Sequence, residues 1–129
     1  MTFLSRWQPQ LLSALRIMAG LLLLQHGTAK HLGFPVGPMN DVATFSLGGI
    51  AGLLELVGGA LLVLGLATRP TAFVLSGLMA AAYFIAHAQR GFFPILNGGE
   101  LAALYCFVFL YIAAAGPGPW SVDRLQRRD

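Results

Sequence analysis

Charge is scarce in this chain. Only 10% of its 129 residues are Asp, Glu, Lys or Arg, against about 25% in soluble domains. A soluble core of this size could not hide the apolar remainder, 57% of the chain with a mean hydropathy of +0.72, because a small domain has too much surface for its volume. A soluble domain is therefore excluded in favour of an integral membrane protein. Cysteine is scarcer still. The single Cys106 rules out an internal disulfide and any CxxC redox pair, and its apolar surroundings read as packing. A basic stripe is also missing. The formal charge is +3 and the pI near 9.6, but Arg124, Arg127 and Arg128 are clustered only in the C-terminal tail and the rest are scattered. Nothing tracks phosphates in the manner of a nucleic-acid binder.

What is present is a set of long apolar runs. A spanning helix needs roughly 20 mostly apolar residues, and backbone in lipid must satisfy its own hydrogen bonds, so these runs are helices. Four are expected, over residues 11–29, 45–67, 71–88 and 98–115, as one all-α transmembrane domain covering 1–129 with a tail at 116–129. Breakers fall between them: Gly33-Phe34-Pro35, then Thr68-Arg69-Pro70 as a tight turn, then Gly91 to Pro94, and finally Gly116-Pro117-Gly118-Pro119. Short linkers imply an antiparallel four-helix bundle. The first run follows Arg6 and looks like a signal peptide, but Gly27-Thr28-Ala29 is a poor cleavage site, so it is read as an uncleaved span. The positive-inside rule then puts Arg6, Arg16, Arg69, Arg124, Arg127 and Arg128 on the cytoplasmic side and Lys30 and Arg90 outside. Both termini are expected in the cytoplasm of a bacterium, with Trp7 and Trp120 at the inner interface of its plasma membrane.

On this topology the remaining polar residues gather at the outer ends of the spans. Gln25, His26 and Lys30 end the first, His87 and Arg90 the third, and Asn97 and Glu100 begin the fourth. Gln25 and His31 are expected to be interfacial and solvated. Glu55 stands apart, near the middle of the second span. Gly48, Gly52, Glu55 and Gly59, spaced 4, 3 and 4, share a helix face, and small residues at that spacing admit a second helix. Glu55 therefore points into the bundle. A carboxylate at that depth is a functional candidate. It is either protonated or paired with His26, Lys30, His87 or Arg90. The competing reading makes it a packing group bonded to a neighbouring helix. The same glycines also suit a face between copies of the chain. On the third span, Ser76, Ala80, Tyr83 and His87 form an equivalent inward stripe. Lys30 and Arg90 have a plainer reading too, as side chains reaching for headgroups.

"HGTAKHLGFP" (26–35) and "HAQRGFFP" (87–94) echo one another: a histidine, a cation, then Gly, Phe and Pro. If the echo is structural, the first and second pairs of helices are parallel repeats with a site at their interface.

Taken together, "LRIMAGLLLLQHGTAKHLGF", "GLLELVGGALLVLGLATRPTA", "FFPILNGGELAALY" and "GPGPWSVDRL" resemble the DoxX family of small four-span bacterial membrane proteins, over residues 15–125. The resemblance implies a four-helix inner-membrane protein tied to oxidoreductase systems, among them a thiosulfate:quinone oxidoreductase and assemblies handling thiol and oxidative stress. The architecture is also similar to that of vitamin K epoxide reductase, whose CxxC this chain lacks.

Three functions follow. The first is a quinone-linked redox subunit. Glu55, His26, His87 and Glu100 would move protons, since histidine titrates near neutral pH, while Lys30, Arg90, Tyr83 and Asn97 would hold the headgroup. With no flavin, haem or iron–sulfur motif, electrons would come from a partner subunit. The second is a non-catalytic membrane anchor that docks an enzyme. The third, ranked last, is a small transporter or metal handler, for which no HxxxH or ExxH spacing is present.

Overall fold

The computed structural model describes residues 2–127, and Arg128 lies outside them. Among the described residues every regular element is helical. Four helices form the bundle: α1 (Gln8–Leu32), α2 (Leu47–Leu64), α3 (Thr68–Ala82) and α4 (Glu100–Ala115). Short helices at Thr2–Ser5, Pro94–Asn97 and Val122–Leu125 flank them.

The helix ends differ from the sequence expectation, each for a local reason. α1 runs past 29 to Leu32, through the polar residues, and stops at Gly33, whose φ of 69° returns its N–H to the Thr28 carbonyl. α2 starts at 47 because Ser46 caps it, its Oγ accepting the Gly49 N–H at 3.1 Å. It ends at left-handed Gly65 instead of 67. The expected tight turn at 68–70 is instead the first turn of α3, where Pro70 is tolerated. The carboxylate of Asp123, from the tail, accepts the N–H groups of Ala67 and Thr68, both at 2.9 Å. α3 continues through a π turn (Tyr83–His87) into a single 3-10 turn, Ala88–Arg90. α4 begins at 100 because the Asn97 side chain accepts the Gly99 N–H and Gly98 turns left-handed. At 16 residues it is about 24 Å long, short of the roughly 30 Å hydrocarbon core. Three helical stretches are long and apolar enough to span, Gln8–Leu32, Leu47–Leu64 and Thr68–Arg90, and α4 is the shorter fourth.

The helices pair as two antiparallel hairpins. α1 lies along α2, and α3 lies along α4. Glycine sets the first contact. A Cβ on Gly27 would sit 2.5 Å from the Leu56 backbone nitrogen, and one on Gly59 would sit 2.9 Å from the Leu24 backbone. The glycine faces are thus used within the chain. In the second hairpin, the Ser76 hydroxyl donates to the Cys106 carbonyl at 2.7 Å, so Cys106 is half-buried at a helix seam. Leu23, Leu62, Leu75, Phe109 and Ile112 close the core between the hairpins, all under 2% exposed. Large apolar side chains such as Met18, Val57, Phe73, Phe84 and Phe107 are exposed around the waist. That is a surface for lipid, since soluble monomers rarely show apolar patches of such extent.

The tail does not trail away. Arg16, fully buried in α1, donates to the carbonyls of Leu62 (2.8 Å), Trp120 (2.6 Å) and Pro117. Ser13 donates to the Pro117 carbonyl and accepts the Trp120 N–H. Arg69 donates to the Ala113 and Ala114 carbonyls at the end of α4, where a cation suits the helix dipole. The tail thus closes one end of the bundle, called here the arginine end; the opposite end, carrying Lys30 and His87, is the histidine end.

Candidate functional site

At the histidine end the two hairpins enclose a cavity of about 310 Å³, near the lower limit of roughly 300–1,000 Å³ for ligand pockets. Its polar lining comes from His26 and Lys30 of α1, Glu55 of α2, His87 beyond α3, and Tyr105 of α4. Met39, Met79 and Leu101 supply apolar wall.

Glu55 and Lys30 form an ion pair, Nζ to Oε1 at 2.8 Å, with side chains 7% and 14% exposed. Of the two readings open for Glu55, this is the paired one. Gly52 makes it possible: the Lys30 stem crosses α2 so closely that a Cβ at 52 would meet Lys30 Cδ at 2.7 Å. Half-buried His26 turns into the cavity beside this pair. His87 contacts the Asn97 carbonyl through Nδ1 at 3.1 Å. The π turn puts one extra residue into the helix just before it, and such turns recur at functional positions. This also splits the expected stripe on α3, because Ser76 bonds to α4 while His87 lines the cavity.

The Tyr105 hydroxyl is buried without a hydrogen-bond partner. An unsatisfied buried hydroxyl is costly, and the residue that carries it lines this cavity. Sequence reasoning missed it, because a tyrosine inside "ELAALYCFVFLY" reads as core. It does stack on Phe109, with ring centroids 5.3 Å apart.

Other expected residues lie elsewhere. Glu100 and Arg90 are exposed and do not line the cavity. Asn97 is buried, but its amide donates to Tyr83 Oη (3.1 Å) and to the Gly91 carbonyl (3.0 Å). With its oxygen on Gly99, it staples the loop, and Tyr83 joins it there. His31, expected to be solvated, instead contacts the Gly49 carbonyl at 2.6 Å. Asn40 staples the first loop in the same way, donating to the Ala29 and Pro35 carbonyls and accepting the Gly37 N–H. The two loops share a pattern, but not the expected echo, which matched His26 with His87: each has one asparagine staple and one histidine on a backbone carbonyl, and in the first loop that histidine is His31. The first hairpin carries a buried ion pair, Lys30 with Glu55. Among the described residues no three His, Cys, Asp or Glu side chains converge as metal ligands.

Comparison with known proteins bears on this arrangement. The family model described as DoxX matches residues 11–88, from α1 to the first cavity histidine beyond the α3 helix. An uncharacterized protein of Haemophilus influenzae is 45% identical over 95% of this chain and 96% of its own length. An uncharacterized membrane protein of Mycobacterium tuberculosis is 27% identical, covering 90% of this chain and 81% of its own. No solved structure matches.

Proposed function

We propose a function from one premise: the chain belongs to the DoxX family. In this reading it is a quinone-linked subunit of a membrane redox system, working with a partner protein that supplies electrons. The observation that carries it is the cavity at the histidine end, which Tyr105 and a buried ion pair line together with apolar side chains. The residues fit a quinone headgroup. Its carbonyl oxygens want donors, which Tyr105 and Lys30 have, and its ring wants apolar contact, which Met39, Met79 and Leu101 give. A quinone, when reduced, takes up two electrons and two protons. His26 and His87 are the side chains able to take and return protons beside it. Glu55 holds the Lys30 ammonium toward the cavity.

The same reading puts the protein in the bacterial inner membrane with both termini cytoplasmic. Arg6, Arg16, Arg69, Arg124 and Arg127 gather at the arginine end, as the positive-inside rule asks. The test is calorimetric titration of the detergent-purified chain with a short-tailed quinone. The wild type should bind, and Glu55→Gln should bind about tenfold or more weakly. A wild type that binds no quinone sinks the proposal.

A second reading, a non-catalytic docking subunit, is favoured by the loops at the histidine end. Phe45 and Phe92 are 91% and 86% exposed there. A stoichiometric co-purifying partner, together with full function in the Glu55, His26 and His87 variants, would select it.

A further inference from the structure

The histidine-end cavity brings together four donors of another kind. His26, His87, Met39 and Met79 all line it. They come from four separate elements: α1, the π turn beyond α3, the loop turn Pro38–Asp41, and α3 itself. Two imidazoles and two thioethers are the ligand set of a soft ion, since thioether sulfur selects Cu(I) and imidazole accepts it.

The state of the donors fits an ion. His87 Nδ1 lies 3.1 Å from the Asn97 carbonyl. A carbonyl only accepts, so the ring proton is on Nδ1 and Nε2 keeps its lone pair. Metal-bound histidines hold their other ring nitrogen in this way, on a backbone carbonyl that fixes ring and tautomer. The His26 ring makes no hydrogen bond among the described residues, so it too has a free nitrogen. Met79 is 5% exposed and Met39 38%, one thioether from the core and one from a loop.

Charge selects the ion. Glu55 is the one carboxylate in the lining, and Lys30 neutralises it at 2.8 Å. With neutral histidines the lining has no net charge. A divalent ion would bring two uncompensated charges out of water, a monovalent ion one. No three His, Cys, Asp or Glu converge among the described residues, as a zinc site would want.

We propose that this cavity binds one Cu(I) ion, held by the His26 and His87 imidazoles and the Met39 and Met79 sulfurs. The site does not depend on the quinone reading, which draws its donors from Tyr105 and Lys30.

The test uses the full chain in detergent with Cys106→Ser, so that the lone thiol takes no metal. Ser76 bonds to the backbone carbonyl of residue 106 and keeps that bond. Ag(I), which shares the charge and ligand preference of Cu(I), is titrated against free methionine in chloride-free buffer. Bound metal is counted by mass spectrometry, and Cu(I) is titrated in parallel against bicinchoninate. The protein should hold one Ag(I) or one Cu(I) per chain and retain no Zn(II). His26→Ala and His87→Ala should each bind Ag(I) about tenfold or more weakly, since even the partner of a metal ligand is worth about that much. Met79→Leu, which keeps side-chain volume, should weaken binding several-fold with melting unchanged. His31→Gln should bind as the parent does, because His31 sits on the Gly49 carbonyl outside the lining. A parent that loses Ag(I) to free methionine overturns the proposal. So do His26→Ala and His87→Ala proteins that bind like the parent, or Zn(II) held as tightly as Cu(I). A protein that holds silver but no quinone keeps this inference and ends the quinone reading; one that holds quinone but no silver does the reverse.

Discussion

Arg16 and Lys30 are cations on one helix, about four turns apart, and both turn into the bundle. Arg16 is sealed. Its three donor atoms all meet backbone carbonyls, from α2 and from the tail, and it lies apart from the histidine-end cavity. Lys30 meets one carboxylate oxygen, and it lines an open space shared with two histidines and Tyr105. A buried charge whose bonds are all made within the chain is a staple. A buried charge left beside spare donors is poised for something that arrives. On the proposed function, the contrast separates the end that holds the fold from the end that offers chemistry.

The largest effect should come from breaking the staple. Arg16→Met leaves the carbonyls of Leu62, Pro117 and Trp120 without donors in a dry site. We expect a loss of about 3–5 kcal/mol, read as failure to accumulate or as a large fall in melting temperature in detergent. If Arg16→Met melts like the wild type, the two ends do not differ as described.

Next comes the contact on which the ion pair depends. Gly27→Leu drives a side chain into the Leu56 backbone and should cost about 1–3 kcal/mol or more, parting α1 from α2. Gly77→Leu is its control, since nothing lies within 4 Å of a Cβ there; the same melting measurement should barely move.

Tyr105→Phe sharpens the comparison further. It removes a buried hydroxyl that has no partner, so the empty protein should be unchanged or more stable by about 0.5–1 kcal/mol. Quinone affinity should nonetheless fall several-fold by calorimetry. A fall in stability with affinity unchanged would mean that the hydroxyl serves the fold. The smallest effect is expected at Glu100→Gln. Its side chain is exposed and off the cavity, so binding and melting should both match the wild type.

Much of the fold was legible because lipid imposes a simple code. Apolar length gave four helices in the right order, and the first two, expected to end at 29 and 67, end within three residues of that, at Leu32 and Leu64. The start of α3 was misread because its cap, Asp123, comes from more than fifty residues away. At the site, the glycine spacing around Glu55 showed that it faces inward, and it left four cations as candidate partners. The crossing of α1 over Gly52 selects Lys30. Tyr105, Met39 and Asn40 gave no signal, since a tyrosine in an apolar run and a Met-Asn pair in a loop have many ordinary uses.

The sequence by itself determined that the chain lives in a membrane, that its polar residues divide between two ends, and that one carboxylate is turned inward. These depend on composition and helical periodicity, which are local. Only the tertiary structure decided which cation neutralises Glu55, that the Tyr105 hydroxyl is left without a partner, and that the tail folds back onto Arg16. Those outcomes turn on the approach of residues 25 to 104 positions apart, set by where glycines let backbones touch and where a distant side chain meets an unpaired carbonyl.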